Sequence, residues 1–175
     1  MTKNPDLATA FHQLHRGPEL LLLANAWDAG SARLMESLGA RAIATTSAGV
    51  AWAHGYPDGD ALPGPLVIAT AAAIASAVRV PVTIDIEGGY SDDPQAVGSL
   101  IGALIEAGAA GVNLEDGGAA PEFLCAKIAE GRRVAEAVWG RAASLATAFL
   151  RDGRGEVPAE GAMSYREINT LVARR

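Results

Sequence analysis

The sequence has one cysteine in 175 residues, only three each of Trp, Tyr and Phe, and no basic run longer than Arg132-Arg133 or Arg174-Arg175. A lone Cys125 cannot close an intramolecular disulfide, so the fold has to rest on packing. With 14 Lys and Arg against 20 Asp and Glu, the net charge is −6, which does not suit a nucleic-acid or anionic-membrane surface. The longest apolar stretch, Val67 to Val78, is interrupted by Thr70 and Ser76 and is too short to span a bilayer. Met1 to His12 lack the basic start and continuous apolar stretch of a secretory signal, which makes the cytoplasm the expected setting. What is present is a 50% hydrophobic chain rich in Ala and Gly, the mixture of closely packed helices on small-residue strands. It predicts one globular α/β domain and excludes disorder for most of the chain.

The elements alternate. Leu20 to Ala26 reads as a buried strand, Asp28 as a helix N-cap, Ala29 to Leu38 as a helix stopped by Gly39, and Ala42 to Thr46 as the next strand. A helix over Pro65 to Val78 leads to a strand over Val82 to Ile86. A helix from Pro94 to Ala107, stopped by Gly108, leads to a strand over Gly111 to Glu115. The last helix of this set runs from Pro121 to about Glu130, giving four βα units. Arg132 to Leu150 reads as an amphipathic helical stretch with no further strand. After a Gly- and Pro-containing linker, the Ser-x-x-Glu spacing of Ser164 and Glu167 opens a short final helix. The expected organisation is therefore βα units over 1–130, a C-terminal helix over 131–153, and a linker with a short helix over 154–175.

In parallel α/β folds reactive groups collect where strands end and loops begin. The strand ends here carry Asn25 and Asp28, then Thr45 to Gly49, then Asp85-Ile86-Glu87-Gly88-Gly89-Tyr90, then Asn113 to Gly118. Asp85 and Glu87 lie two apart and share a face while the strand continues, and Glu115 approaches from the neighbouring strand. Three carboxylates at one rim invite a hard divalent cation such as Mg²⁺, although each alone would equally serve as a helix cap. Thr45, Thr46, Ser47 and Gly49 offer hydroxyl and N–H donors to an anionic substrate, or form a polar turn. Trp52 to Asp60, with Asp58, reads as a long rim loop. His54 reads as structural and Cys125 as a small buried hydrophobe. The glycine pairs match neither dinucleotide nor triphosphate loops.

Asn25-Ala26-Trp27-Asp28-Ala29-Gly30-Ser31-Ala32-Arg33, Thr45-Thr46-Ser47-Ala48-Gly49, Gly55-Tyr56-Pro57-Asp58-Gly59, Asp85 to Tyr90 and Gly111 to Asp116, in this order, resemble the isocitrate lyase/phosphoenolpyruvate mutase family. The resemblance is continuous over about 15–130, and Ala135 to Gly153 resembles the family's C-terminal helical region. It implies a (β/α)-barrel fold, here truncated to about four βα units plus C-terminal helices, since about 250 residues are usual for eight units. It also implies Mg²⁺-dependent lyase or mutase chemistry on a C–C or C–P bond beside a 2-oxo acid or enolpyruvate group. Asp85 resembles the direct metal ligand; Asp58, Glu87 and Glu115 resemble the groups holding metal-bound waters. Asp58 and Glu115 stand as candidate catalytic groups, and Thr46, Ser47 and Gly49 resemble the loop that binds the substrate carboxylate. The Lys-(Lys/Arg)-Cys-Gly-His loop of the lyases proper is replaced by Gly117-Gly118-Ala119-Ala120-Pro121, which points away from isocitrate cleavage. A fifth strand ending in an Asn-Ala-Arg-Thr-Asp-like segment is not found after Lys127-Ile128-Ala129. The alternative to a lyase or mutase is an inactive half-barrel serving as a self-associating or binding module. In either case a homo-oligomer is expected, because open strand edges seek partners.

Overall fold

The computed structural model describes residues 5–16, 18–117, 119–139 and 147–149. Five strands, β1 (Ala24–Ala26), β2 (Ile43–Thr45), β3 (Val82–Asp85), β4 (Gly111–Glu115) and β5 (Thr147–Phe149), lie side by side in chain order. All neighbouring pairs are parallel. Every β-to-β connection must therefore cross over, and helices make the crossings. These are α2 (Ala29–Ser37), α3 (Ser47–Ala53), α4 (Gly64–Ala77), α5 (Pro94–Ala107) and α6 (Pro121–Trp139), preceded by α1 (Pro5–Arg16). The helices α2, α4, α5 and α6 pack in that order, each on the next.

The apolar faces explain the layering. Ile43, Val82, Ile84, Val112 and Leu114 from the strands meet Val67 and Ile74 of α4, Ile101, Leu104 and Ile105 of α5, and Leu124 and Ile128 of α6. Each of the fully buried Ile and Leu side chains contributes about 1.5–3 kcal/mol of hydrophobic stabilisation. A second cluster places Phe11 of α1 against Ala42 and Ala110, the residues just before β2 and β4. Gly111 lacks a side chain because Phe11 occupies that space: a Cβ there would lie 2.8 Å from the ring. Thus α1 closes the end of the sheet where strands begin. The spacing of Leu7, Phe11 and Leu14 carries the signal for this helix, which the sequence reading does not include.

Several boundaries follow local punctuation. Asp28 caps α2 by accepting the Ser31 N–H at 2.7 Å, and the Ser31 hydroxyl accepts the Asp28 N–H in return. Asp93 caps α5, Pro94 sits in its first turn, and Gly108 ends it at φ +108.

Other expectations are corrected. The strand expected over Leu20 to Ala26 shortens to β1, and Leu20 and Leu22 are 85% and 75% exposed, because no strand or helix among the described residues covers them. Thr46 to Gly49 is not a loop but the start of α3, capped by Thr46. The helix over Pro121 to Glu130 continues unbroken to Trp139. The helical stretch over Arg132 to Leu150 gives way to β5, which extends the sheet beyond the four strands expected. The linker and capping-box helix expected over 154–175 lie outside the described residues. No helix among the described residues is long and apolar enough to cross a membrane.

Gly39 and Gly108 both stand just past helix ends at positive φ, but only at Gly108 would a Cβ collide, 2.9 Å from the Ala75 methyl. Gly39→Ala should cost about 1–2 kcal/mol from the left-handed backbone alone, and Gly108→Ala clearly more. Urea denaturation of the two variants checks this, and equal losses would show that the Gly108–Ala75 approach is unimportant.

Candidate active site

The carboxyl ends of β2, β3 and β4 bring the polar residues together. Asp85 closes β3 and is held from three directions: its N–H donates to the Thr45 hydroxyl at 2.8 Å, one carboxylate oxygen accepts the Ser47 N–H at 3.1 Å, and the other accepts the Glu87 N–H at 3.2 Å. Thr45 is buried and Asp85 half-buried, so this carboxylate has one defined orientation. Below it the Thr83 hydroxyl donates to the Asn113 carboxamide oxygen at 3.2 Å, on the face shared by Thr83 and Asp85.

Glu87 leaves the strand at φ +50, in the left-handed region, and is only 5% exposed. One of its carboxylate oxygens accepts the Asp60 N–H, and the other accepts the Tyr90 hydroxyl at 3.3 Å. Asp60 returns the contact by accepting the Tyr90 N–H at 3.2 Å. The Glu87 carbonyl accepts the Glu115 N–H at 2.8 Å, tying the β3 rim to the end of β4. Asp58 is exposed, but its charge and that of Asp60 reach Glu87. Burial first, and then those two acids, push the Glu87 carboxyl above its ordinary value against the opposing hydrogen bonds. Burial, then the charges of Glu87, Asp60 and Asp85, hold the Tyr90 phenol firmly protonated as a donor.

The expected residues are placed as follows. Asp85, Glu87 and Glu115 share one rim, but no three His, Cys, Asp or Glu among the described residues form a group arranged to hold a metal. The Thr46 hydroxyl accepts the Gly49 N–H at 3.5 Å, and the Ser47 N–H is engaged by Asp85, so both backbone donors expected to meet an anion are used within the chain. Gly49 is required by packing, since a Cβ would lie 2.7 Å from the Thr46 methyl and 3.2 Å from Trp27. His54 Nε2 sits 2.9 Å from the Thr70 hydroxyl, and Cys125 is buried.

Two residues were missed by sequence reasoning. Asp60 carries no motif beyond its proximity to Asp58. Lys127 is 8% exposed on the face of α6 that also buries Leu124, Ile128 and Gly131, and its Nζ donates to the Gly88 carbonyl at 2.7 Å. A lysine on the apolar stripe of a helix is a signal readable from the sequence.

A small pocket of about 10 Å³, room for about one water at most, lies among Thr45, Ser47, Thr70, Asp85 and Tyr90. Clefts of about 530 and 540 Å³ lie at the opposite end, around Leu14, Leu20 to Leu23 and Gly39 to Arg41. Gln13, Glu19, Glu36 and Arg41 also line those clefts, with Glu19 and Arg41 paired to each other in the open; the buried polar groups converge instead around Asp85, which is the candidate site despite its small free volume.

The donor set at this rim is all oxygen and negatively charged, which is the chemistry a hard divalent cation selects. Each Asp85 oxygen accepts one N–H and retains lone-pair capacity for a cation. Burial raises Glu87 first and the charges of Asp60 and Asp58 add to it, and a cation would relieve that added repulsion. The donor chemistry therefore suits a hard divalent cation, although no three of these side chains among the described residues are grouped to hold one.

Because the folded state binds the Glu87 proton more tightly than the unfolded chain, its stabilising contribution is full below the ordinary value of 4.5 and is lost as pH rises through the raised folded value. Glu87→Gln cannot ionise, so it should gain stability relative to the wild type as pH rises from 4 to 8. Urea denaturation across that range measures the difference; parallel pH profiles would remove Glu87 as the titrating group.

The profile of the family described as phosphoenolpyruvate phosphomutase matches residues 11–157. An uncharacterized protein of Mycobacterium tuberculosis is 41% identical over 123 residues, which cover 68% of this chain and 46% of that protein. The chain thus spans about half the length of the curated relatives it matches. A crystal structure of a candidate phosphonomutase from Burkholderia cenocepacia J2315 is 34% identical with a TM-score of 0.75, over 97% of this chain and 69% of that one. A candidate lyase/mutase from the same organism is 33% identical with a TM-score of 0.77, over 87% of this chain and 57% of its own. With the family profile spanning most of the chain and the shared fold behind it, the chain belongs to the phosphoenolpyruvate phosphomutase family.

Proposed function

We propose that the rim around Asp85 binds a divalent cation, Mg²⁺ by its donor chemistry, and a small 2-oxo acid or enolpyruvate-type substrate for lyase or mutase chemistry on a C–C or C–P bond. The observation that carries this reading is the orientation of Asp85 by Thr45, Ser47 and Glu87 within a field of acids at the carboxyl edge of a parallel sheet. Asp85 is the direct ligand in this reading, and Asp58, Glu87 and Glu115 hold waters around the cation. When bound, the cation supplies Lewis-acid stabilisation of negative charge on an enolate oxygen. The chain's own residues do the rest. Glu87 is held by Asp60 and Tyr90, so its carboxylate does not need to reorganise on binding. Thr46 and Ser47 contribute their hydroxyls toward the substrate carboxylate, because the N–H groups of Ser47 and Gly49 are already committed. Gly49 permits the close packing that sets this turn.

A second reading, a self-associating module without turnover, draws on the apolar surface of Leu20, Leu22, Leu34 and Leu38 beside the edge strand β1. Isothermal titration of Mg²⁺ and oxalate, an enolpyruvate mimic, separates the two. The active-site reading expects oxalate binding that requires Mg²⁺ and weakens at least about 10–100-fold in Asp85→Ala. No binding by the wild type would leave the module reading in its place.

A further inference from the structure

Glu87 and Lys127 are the two charged side chains buried below a tenth exposure among the described residues, and they meet across one turn. The Gly89 N–H donates to the Ile86 carbonyl at 2.7 Å, which makes Glu87 and Gly88 the central pair of a tight turn. Its first central residue has φ +50, a position that ordinarily takes glycine. Two residues on, Gly89 and Tyr90 are also left-handed, at φ +92 and +56. A non-glycine residue held in this way persists only where its surroundings over-determine it. The turn is pressed on both sides: a Cβ on Gly88 would lie 3.1 Å from Asp60 Oδ2, and one on Gly89 would lie 2.8 Å from Val97. From α6, Lys127 Nζ grips the Gly88 carbonyl at 2.7 Å.

We propose that Lys127 is a positioning residue whose ammonium fixes the Gly88 peptide and thereby keeps Glu87 in the left-handed turn that delivers its carboxylate to Asp60 and Tyr90. With the Gly88 carbonyl released, the turn can relax toward negative φ at Glu87, and the carboxylate leaves the Asp60 N–H and the Tyr90 hydroxyl. Lysine suits the task because its four-carbon stem crosses from the helix through apolar surroundings and ends in a compact multi-donor cation. The burial of that cation is otherwise unrewarded, since an apolar side chain would fill the same stripe of α6 without being desolvated. What the turn serves rests on the functional reading above, whereas the turn itself does not.

Amide hydrogen exchange of the full chain tests the proposal on wild type, Lys127→Met and Lys127→Arg. Met preserves the stem volume, and removing a buried charge in favour of an apolar group is commonly tolerated, so the fold should persist. In Lys127→Met the Gly89, Tyr90 and Glu115 amides should exchange at least tenfold faster, while the α5 amides of Ile101 and Leu104 keep wild-type protection. Arg, which retains charge and donors, should restore much of the loss. In a Glu87→Gly background, where the turn no longer holds a strained residue, Lys127→Met should have little effect on the Gly89 amide. Unchanged turn amides, or loss spread evenly through the chain including any failure of Lys127→Met to fold, would overturn the proposal. Mg²⁺ titration of the same proteins gives a separate answer. A wild type that binds Mg²⁺ should lose at least tenfold in Lys127→Met and recover in Lys127→Arg. A wild type that binds none would remove the functional reading and leave the exchange result to decide the role of Lys127.

Discussion

The Asp85 carboxylate accepts one N–H from the first turn of α3 and another from the rim after β3, while its own N–H is bonded to the Thr45 side chain. The end of β2 and the start of α3 are thereby locked to the end of β3 and the turn containing Glu87, about 40 residues further along the chain. A carboxylate that accepts backbone N–H groups acts as a structural cap, and the bonds that hold it also fix its orientation. The parallel register of β2 and β3 makes this possible by bringing Thr45 alongside Ile84, next to Asp85. The Ser47 N–H is committed to that anchor.

The cost of this arrangement is an excess of negative charge. Burial and the charges of Asp60 and Asp58 raise Glu87, and burial with the charges of Glu87, Asp60 and Asp85 raises Tyr90. A fold selected for stability alone has no need of a buried carboxylate in a left-handed turn among other acids. The chain offsets the cost with donors: the Asp60 N–H, the Tyr90 hydroxyl and, one peptide away, the Lys127 ammonium. A buried charge and left-handed backbone met by dedicated partners are the features on which the proposed function of this rim rests.

How far these features were legible in the sequence depended on whether their cause was local. Asp28 and Gly39 around α2, Pro94 and Gly108 around α5, and the strand Gly111–Glu115 each carry their own start or stop chemistry, and their bounds emerge within a residue. Leu20 to Leu23 read as buried because a continuous apolar run has no other local meaning, but burial requires a neighbour and β1 is an edge strand. The helix α3 was hidden because seven residues containing Gly49 show little periodicity, and only the capping role of Thr46 defines it. At the site, the carboxylates Asp85, Glu87 and Glu115 were recognisable from their places at strand ends. The clasp by Asp60 and the grip of Lys127 were not, since they join segments 27 and 39 residues apart. Lys127 nonetheless left a trace as the one charged residue on the buried face of α6.

The two ends of the sheet divide the work of the fold. At the end where strands begin, α1 brings Phe11 onto Gly111, and the small Ala42 and Ala110 complete the apolar contact. The broad clefts at that end, around Leu20 to Leu23, are lined chiefly by apolar groups and by the exposed Glu19–Arg41 pair, whose 2.8 Å contact contributes little in water. At the end where strands finish, side chains and loops converge as polar groups with fixed partners, and free volume is small because those partners occupy it. Volume is thus a poor guide to where polar groups are organised, because the confined rim holds oriented donors and acids whereas the open clefts do not. The same confinement explains why Gly49, Gly88 and Gly89 cluster at this rim, where backbone must pass within contact distance of the groups it orients.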